Sequence, residues 1–189
     1  MTAPATKTPS ISARLVRSSL RYLREREGAA ALVQIARELP AHAFLTQSKI
    51  DDGWIALKAW LEVLAAFERR FGDPPTHRLL REMTRATMAA AISSVWATFL
   101  QAASPEQLLD RSADLFTLSF DTGKLVVVDR APHRAKLAVE NWPDPPRELG
   151  VIVAEACAVF LARVTASGDA QPRVVDSVVN ERLEIAGAW

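Results

Sequence analysis

The chain has 189 residues, of which 49% are hydrophobic and 24% charged, and its 23 basic and 22 acidic side chains leave a net charge of +1. This length and composition predict one globular domain and exclude a disordered or collagen-like chain. The balanced charge argues against a nucleic-acid-binding protein, and the single cysteine excludes an internal disulfide and a multi-cysteine zinc site.

The first ten residues are small, polar and proline-containing, so we expect residues 1–10 to be a flexible tail and residues 11–189 to form a single domain. They lack the apolar stretch of a secretory signal, which favours a cytoplasmic location. Residues 86–105 carry no charge, but alanine, serine and threonine dominate the run. It therefore predicts a helix buried among other helices and no membrane span.

The N-terminal two-thirds of the chain is predicted to be helical. Glycine and proline residues separate the predicted helices. Asp51-Asp52-Gly53 precedes the helix that carries the strongest apolar stripe. Ser104 begins another with a capping box and a proline at the first helical position. The predicted helices cover residues 12–27, 29–39, 41–47, 54–71, 76–102 and 104–118.

The last third of the chain alternates strands and a helix. A valine-rich run over residues 124–130 and an alternating run over residues 134–140 predict an antiparallel hairpin. A helix over residues 148–165 and a second strand pair, 173–179 and 182–186, follow. The sequence thus predicts an α+β fold: an N-terminal helical portion, then strand–strand–helix–strand–strand forming an antiparallel sheet.

No residue pattern predicts catalysis or metal binding, so we expect no catalytic residues, no metal, no cofactor and no enzyme activity. The three histidines, His42, His77 and His133, lie in different elements without metal-ligand spacing. Cys157 lies among small apolar residues, which is typical of a buried structural thiol and not of a nucleophile. An enzyme would require that His42 or His77 meet Asp51 or Asp52 in a cleft.

Large aromatic side chains on the helices are the most informative feature. Most should be ordinary core, but beside alanine-rich helical faces they can also leave a lipophilic pocket between the helices and the sheet. Trp142, in a proline-rich loop, either folds onto the domain or stays available to a partner. The residues expected to line the pocket are Trp54, Leu57, Trp60, Leu61, Trp96, Phe99 and Phe116.

Short motifs in a fixed order extend along most of the chain, from about residue 12 to 185. They are residues 20–28 (LRYLREREG), 39–40 (LP), 53–54 (GW), 67–73 (FERRFGD), 99–100 (FL), 104–106 (SPE) and 121–125 (DTGKL). In this arrangement the chain resembles a myxobacterial family of paralogous single-domain proteins of unknown function. That family is similar in turn to the superfamily of haem-NO-binding domains, vinyl-reductase-type domains and TRAPP subunits.

The resemblance implies a cavity between helices and sheet that serves haem, small effectors or acyl chains in different branches. Two departures argue against haem in this chain. The haem branch carries a histidine on the helix before the first strand of the sheet, where residues 104–118 have none. It also carries a Tyr-x-Ser-x-Arg motif, whereas the only tyrosine here is Tyr22. The cysteine cluster of vinyl-reductase-type domains is absent too.

Two hypotheses follow from the residues and the resemblance together. The first is a non-catalytic regulatory or sensory domain that binds an apolar small molecule in the helix–sheet cavity. The alternative is a protein-interaction or assembly module, acting as a homodimer or as a subunit of a hetero-complex without a small ligand. Neither involves nucleic acid or a membrane span.

Overall fold

The computed structural model of the chain describes residues 8–45, 50–94, 100, 103–142, 144–165, 173–179 and 182–189. Its elements confirm the predicted order of a helical portion followed by strand–strand–helix–strand–strand. The described helices are α1 (Ala13–Glu27), α2 (Ala29–Glu38), α3 (Leu57–Phe71), α4 (Arg78–Ser94), α5 (Pro105–Asp110), α6 (Ser112–Thr117) and α7 (Arg147–Val164), and the strands are β1 (Ser10–Ser12), β2 (Trp54–Ala56), β3 (Lys124–Ala131), β4 (Arg134–Glu140), β5 (Arg173–Val179) and β6 (Arg182–Ala188).

Helices α1 and α2 form as predicted. In α1 the buried residues Val16, Leu20 and Leu23 follow one another at spacings of four and three, which places them on one face. The helix ends at Gly28, whose φ of +85° is a conformation that glycine adopts without strain. The third helix predicted over residues 41–47 is reduced to a 3-10 turn at Ala43–Leu45, and residues 46–49 lie outside the described part.

The helix predicted from Trp54 onward is wrong at its start. Trp54–Ala56 instead form β2, which pairs with β1 so that Trp54 lies opposite Ser12, and α3 begins only at Leu57. Asp52 does not cap this helix, because its carboxylate accepts a hydrogen bond from Arg17 Nη2 at 2.6 Å. Pairing with a strand that is distant in sequence overrides the local helical spacing.

A buried carboxylate holds the turn between α3 and α4. Glu68 is only 6% exposed, and its carboxylate accepts hydrogen bonds from the backbone N–H groups of Leu80 at 2.6 Å and Asp73 at 3.0 Å. A side chain at Gly72 would collide with this carboxylate. The prediction that α3 ends at Gly72 is therefore confirmed. The cause is steric, because only a residue without a side chain fits beside the Glu68 carboxylate.

Helix α4 begins at Arg78, two residues later than predicted, and is described as far as Ser94; most of the remainder of the predicted helix lies outside the described residues. Glu155 on α7 joins it to that helix. Its buried carboxylate accepts hydrogen bonds from Arg81 Nη1 at 2.7 Å, Arg85 Nε at 2.5 Å and Arg85 Nη2 at 3.1 Å. Burial of one acid is thus offset by two guanidinium groups that reach solvent.

The capping box at Ser104 is confirmed. Its hydroxyl accepts from the Gln107 N–H at 3.3 Å, and the Gln107 side chain accepts from the Ser104 N–H at 2.9 Å. The prediction of a single helix as far as Leu118 is wrong, however, because the helix is interrupted at Arg111, which separates α5 from α6. No proline or glycine marks this break, so the local sequence carries no signal for it.

The four-stranded sheet is antiparallel throughout, in the order β3-β4-β6-β5. Leu137 in β4 lies opposite Val127 of β3 on one side and Ile185 of β6 on the other. The predicted apolar face of β4 is confirmed, because Ala135, Leu137 and Val139 are all buried, but Ala138 on the other face is buried as well. Strand β3 is an edge strand, and its register with β4 shifts between Val127 and Asp129.

Trp142 folds onto the domain, which decides between the two alternatives that the sequence leaves open. Its side chain is 7% exposed and makes edge-on contacts with Phe120 and Phe116, at ring-centroid distances of 5.8 and 6.3 Å. In the described part of the chain no helix combines the length and the hydropathy needed to cross a bilayer.

Candidate ligand cavity

A cavity of about 100 Å³ lies between the helices and the sheet. It receives side chains from α1, α4, α5, α6, β3, β4 and α7, so both helices and sheet contribute to its wall. The described residues that line it are Leu15, Met88, Leu108, Leu109, Ser112, Leu115, Phe116, Ser119, Phe120, Leu125, Leu137, Ile152, Val153, Ala156, Cys157, Phe160 and Leu161.

Helix α7 supplies the longest part of the wall. Ile152, Ala156 and Phe160 follow one another at spacings of four, and Val153, Cys157 and Leu161 repeat the pattern one residue later. These spacings place the six residues on one helical face. Ala156 and Cys157 are small, so this face is indented between two pairs of bulky side chains.

The described wall of the cavity carries no charged side chain and few polar ones. The hydroxyl of Ser119 donates a hydrogen bond to the Leu115 carbonyl at 3.3 Å. Ser112 is only 8% exposed, and its hydroxyl has no hydrogen-bond partner among the described residues. The cavity is therefore an apolar space with one unsatisfied hydroxyl at its wall.

Cys157 is the third group of the wall that can form a hydrogen bond. Burial raises the pKa of its thiol to about 12, so the sulfur is protonated at neutral pH. This agrees with an unreactive cysteine. The sequence does not reveal that the thiol lies at a cavity, although the small residues around it are the signal that could have done so.

The structure places the residues predicted to line a pocket in several environments. Phe116 lines the cavity. Trp60 and Leu57, at 1% and 3% exposed, belong to the packed core, and Leu61 packs against that core from a partly buried position. Trp54 on β2 is 50% exposed.

The two remaining candidates, Trp96 and Phe99, lie outside the described residues. Of the predicted set in the described part of the chain, only Phe116 is therefore brought to the cavity wall. Any contact of the others with a ligand stays a prediction. The residues that sequence reasoning missed are chiefly those of α7.

Two residues that the enzyme hypothesis names, His42 and Asp52, have other ionic partners. His42 Nε2 lies 2.8 Å from a carboxylate oxygen of Glu62, and Asp52 is paired with Arg17. Neither pairing joins a histidine to Asp51 or Asp52, which the enzyme hypothesis required. Within the described ranges no three histidine, cysteine, aspartate or glutamate side chains are grouped so that they could hold a metal ion.

Comparison with known proteins identifies the fold. No protein-family model matches the chain, and no curated protein matches it in sequence. Among solved structures it is similar to a variant of an unliganded Fe(II) H-NOX protein from K. algicida, with a TM-score of 0.62, 9% identity, and coverage of 94% of this chain and 95% of that one. It is also similar to an oxygen-binding H-NOX domain related to soluble guanylate cyclases, with a TM-score of 0.56, 11% identity and 92% coverage of both chains.

Structures in this group include haem proteins, so we tested whether the cavity residues fit a haem. A cavity of about 100 Å³ is smaller than the roughly 150 Å³ that holds a single benzene ring, and a porphyrin is several times larger. The described lining contains no histidine, no tyrosine and no cation to pair with the propionates. Its sulfur atoms belong to Met88 and to Cys157, whose thiol is protonated.

The residues present therefore do not fit haem. What the comparisons show is the architecture: this chain has the fold of H-NOX domains over more than nine-tenths of its length.

Proposed function

We propose that this chain is a non-catalytic sensory domain that binds an apolar small molecule in the helix–sheet cavity, without haem. The observation that carries the proposal is the cavity itself, a space whose described wall is uncharged and is formed by both helices and sheet. An uncharged apolar wall favours an uncharged apolar ligand, because a charged group would lose its hydration without gaining a partner. The sensory role is proposed by analogy with H-NOX domains of the same fold.

Binding would be transmitted through the packing of α4 against α7. Met88 and Ala156 bring these two helices to the cavity, and Arg85 and Glu155, close by in the same helices, join them by hydrogen-bonded ion pairs. A ligand that fits better when the helices are slightly apart would shift the population toward that arrangement. The surface formed by α4 and α7 would then report occupancy to a partner.

The finer expectations remain part of this proposal. They are the membership of a myxobacterial family of paralogues, the kinship with vinyl-reductase-type domains and TRAPP subunits, the cytoplasmic location, and a protein partner or homodimer. The apolar cavity supports the branch of the resemblance that binds small effectors.

The experiment is a titration of the isotopically labelled protein with toluene, followed by NMR. We expect saturable chemical-shift changes in the methyl groups of Leu108, Ile152 and Leu161. The variant Ala156→Leu fills the cavity and should abolish these changes. Ala162→Leu, on the exposed side of the same helix, should retain them. Toluene that produces no saturable shifts in the wild type would overturn the proposal, and so would equal binding by wild type and Ala156→Leu.

One observation favours the alternative of an assembly module. Strand β3 lies at an edge of the sheet and exposes Val127 and Val128, at 38% and 39%. An open edge strand can pair with another chain, although the shift of register beside Val128 makes this edge irregular. Sedimentation equilibrium tests it: a dimer that Val127→Lys dissociates would support the alternative, and a monomer at all concentrations would reject it.

A further inference from the structure

Ser112 and Thr84 are the buried hydroxyls of the described residues that make no side-chain hydrogen bond, and of the two only Ser112 lines the cavity. Ser19 and Thr87 lie within 3.5 Å of each other, and the Ser119 hydroxyl donates to the Leu115 carbonyl. Ser112 is 8% exposed, lines the cavity, and makes no side-chain hydrogen bond within the described part of the chain. Because no described residue bonds this hydroxyl and it lines the cavity, a group placed in the cavity can supply its hydrogen bond.

An unsatisfied buried hydroxyl is unfavourable, and proteins leave few of them. Water is a poor solution here, since a buried water needs two to four polar partners and the other described side chains are apolar, already paired, or a weakly bonding thiol. A ligand with one hydrogen-bonding group would satisfy Ser112 and still bury its remaining surface against the apolar wall.

We propose that Ser112 determines specificity by binding the single polar group of an otherwise apolar, uncharged ligand, such as a small phenol, alcohol or ketone. This inference rests on the proposed function and narrows it to a class of ligand. At about 100 Å³ the cavity is smaller than the roughly 150 Å³ that holds benzene, so one six-membered ring is the upper limit and its binding requires the walls to move slightly apart. The absence of charge from the described wall excludes carboxylates and amines from the class.

The test compares phenol with toluene, which have nearly the same shape but differ in a hydroxyl. Dissociation constants are measured by NMR for the wild type, Ser112→Ala and Ser119→Ala. Ser119→Ala is the matched control. It also removes a hydroxyl from the cavity wall, but that hydroxyl already donates a hydrogen bond to the Leu115 carbonyl. Comparing the two ligands across the variants cancels the difference in their hydration.

We expect Ser112→Ala to weaken phenol binding about fivefold, the effect of one net hydrogen bond, and to leave toluene binding unchanged or tighter. Ser119→Ala should leave the dissociation constants of phenol and of toluene unchanged relative to the wild type. Without ligand, Ser112→Ala should melt at the same temperature as the wild type or higher, because it removes an unpaired buried hydroxyl and alanine favours helix.

The possible failures are distinguishable. If toluene binds the wild type but Ser112→Ala weakens phenol and toluene equally, the role of Ser112 is overturned and the proposed function stands. An equal loss of phenol binding in Ser119→Ala also overturns the assignment. If toluene does not bind the wild type, the proposed function falls and this inference falls with it.

Discussion

Two regions of this domain differ in how completely they are packed. The helical core, formed by Val16, Leu23, Ile35, Trp60 and Phe67 of α1, α2 and α3, is filled, with each of these side chains at most 1% exposed. The cavity region, between α4, α6, α7 and the sheet, contains an empty space and an unsatisfied hydroxyl. The buried acid Glu68 beside the helical core, in contrast, accepts two backbone hydrogen bonds.

This difference in packing indicates that the two regions have separate roles. Close packing provides stability and a fixed geometry, whereas space and an unmet hydrogen bond lower stability and leave interactions for a ligand to complete. Binding regions are often drawn from the less stable parts of a protein for this reason. Substitutions should therefore have opposite consequences in the two regions.

The largest effect is expected at Trp60. Trp60→Ala should lower the free energy of unfolding by about 3–5 kcal/mol, because it removes a fully buried indole and leaves a cavity in the helical core. Urea denaturation measures the change. Trp54→Ala is the control with the same chemistry at a 50% exposed position, and we expect it to cost less than about 1 kcal/mol. Equal costs at the two positions would contradict the assignment of Trp60 to a packed core.

An intermediate effect should separate two alanines that receive the same substitution. Ala66 in α3 is 1% exposed within the core, so Ala66→Leu should overpack it and cost about 1–3 kcal/mol. Ala156 faces the cavity, so Ala156→Leu has room for its added carbons and should be neutral or stabilising by about 1 kcal/mol. Thermal denaturation of both variants measures the two changes in stability. A loss of stability in Ala156→Leu similar to that in Ala66→Leu would mean that the cavity is not open.

The smallest expected effect concerns Cys157, and it is measured as the rate at which its thiol reacts with a reagent. As the sole cysteine it gives an unambiguous signal, and its protonated thiol should react with a thiol reagent at pH 8 at least tenfold more slowly in the folded protein than in urea. Equal rates would contradict the protection of this partly buried thiol at the cavity wall.

Burial of this thiol also predicts a dependence of stability on pH. The folded pKa of about 12 lies above the ordinary value of 9.0, so the folded protein holds this proton more tightly than the unfolded chain does. Relative to Cys157→Ala, the wild type should therefore lose stability as the pH rises from 9 toward 12. A difference between the two proteins that is independent of pH in this range would contradict the raised pKa.

Much of the fold could be predicted because its signals are local. The apolar periodicity of α1 and α7, the capping box at Ser104 and the alternation in β4 each depend on neighbouring residues. The start of α3 could not be predicted, because Trp54 lies at helical spacing from Leu57 and only the pairing of β2 with β1 makes it a strand. The break at Arg111 has no local signal.

The cavity was harder to predict than the fold. A pocket between helices and sheet was anticipated, but of its proposed lining only Phe116 is found at the wall in the described part of the chain. Aromatic residues such as Trp60 fill space, whereas the cavity arises where small residues, Ala156 and Cys157, face bulky ones across the layers. That complementarity depends on how the layers meet, which periodicity within one helix does not encode.

The most direct test of the central claim, an open apolar cavity between helices and sheet, is a crystal structure of the wild type under xenon pressure. Xenon binds empty apolar cavities of this kind without needing a polar partner. We expect an anomalous peak in contact with Phe116, Ile152 and Phe160, and we expect Ala156→Leu to remove it. A wild-type crystal with no xenon between the helices and the sheet would contradict it.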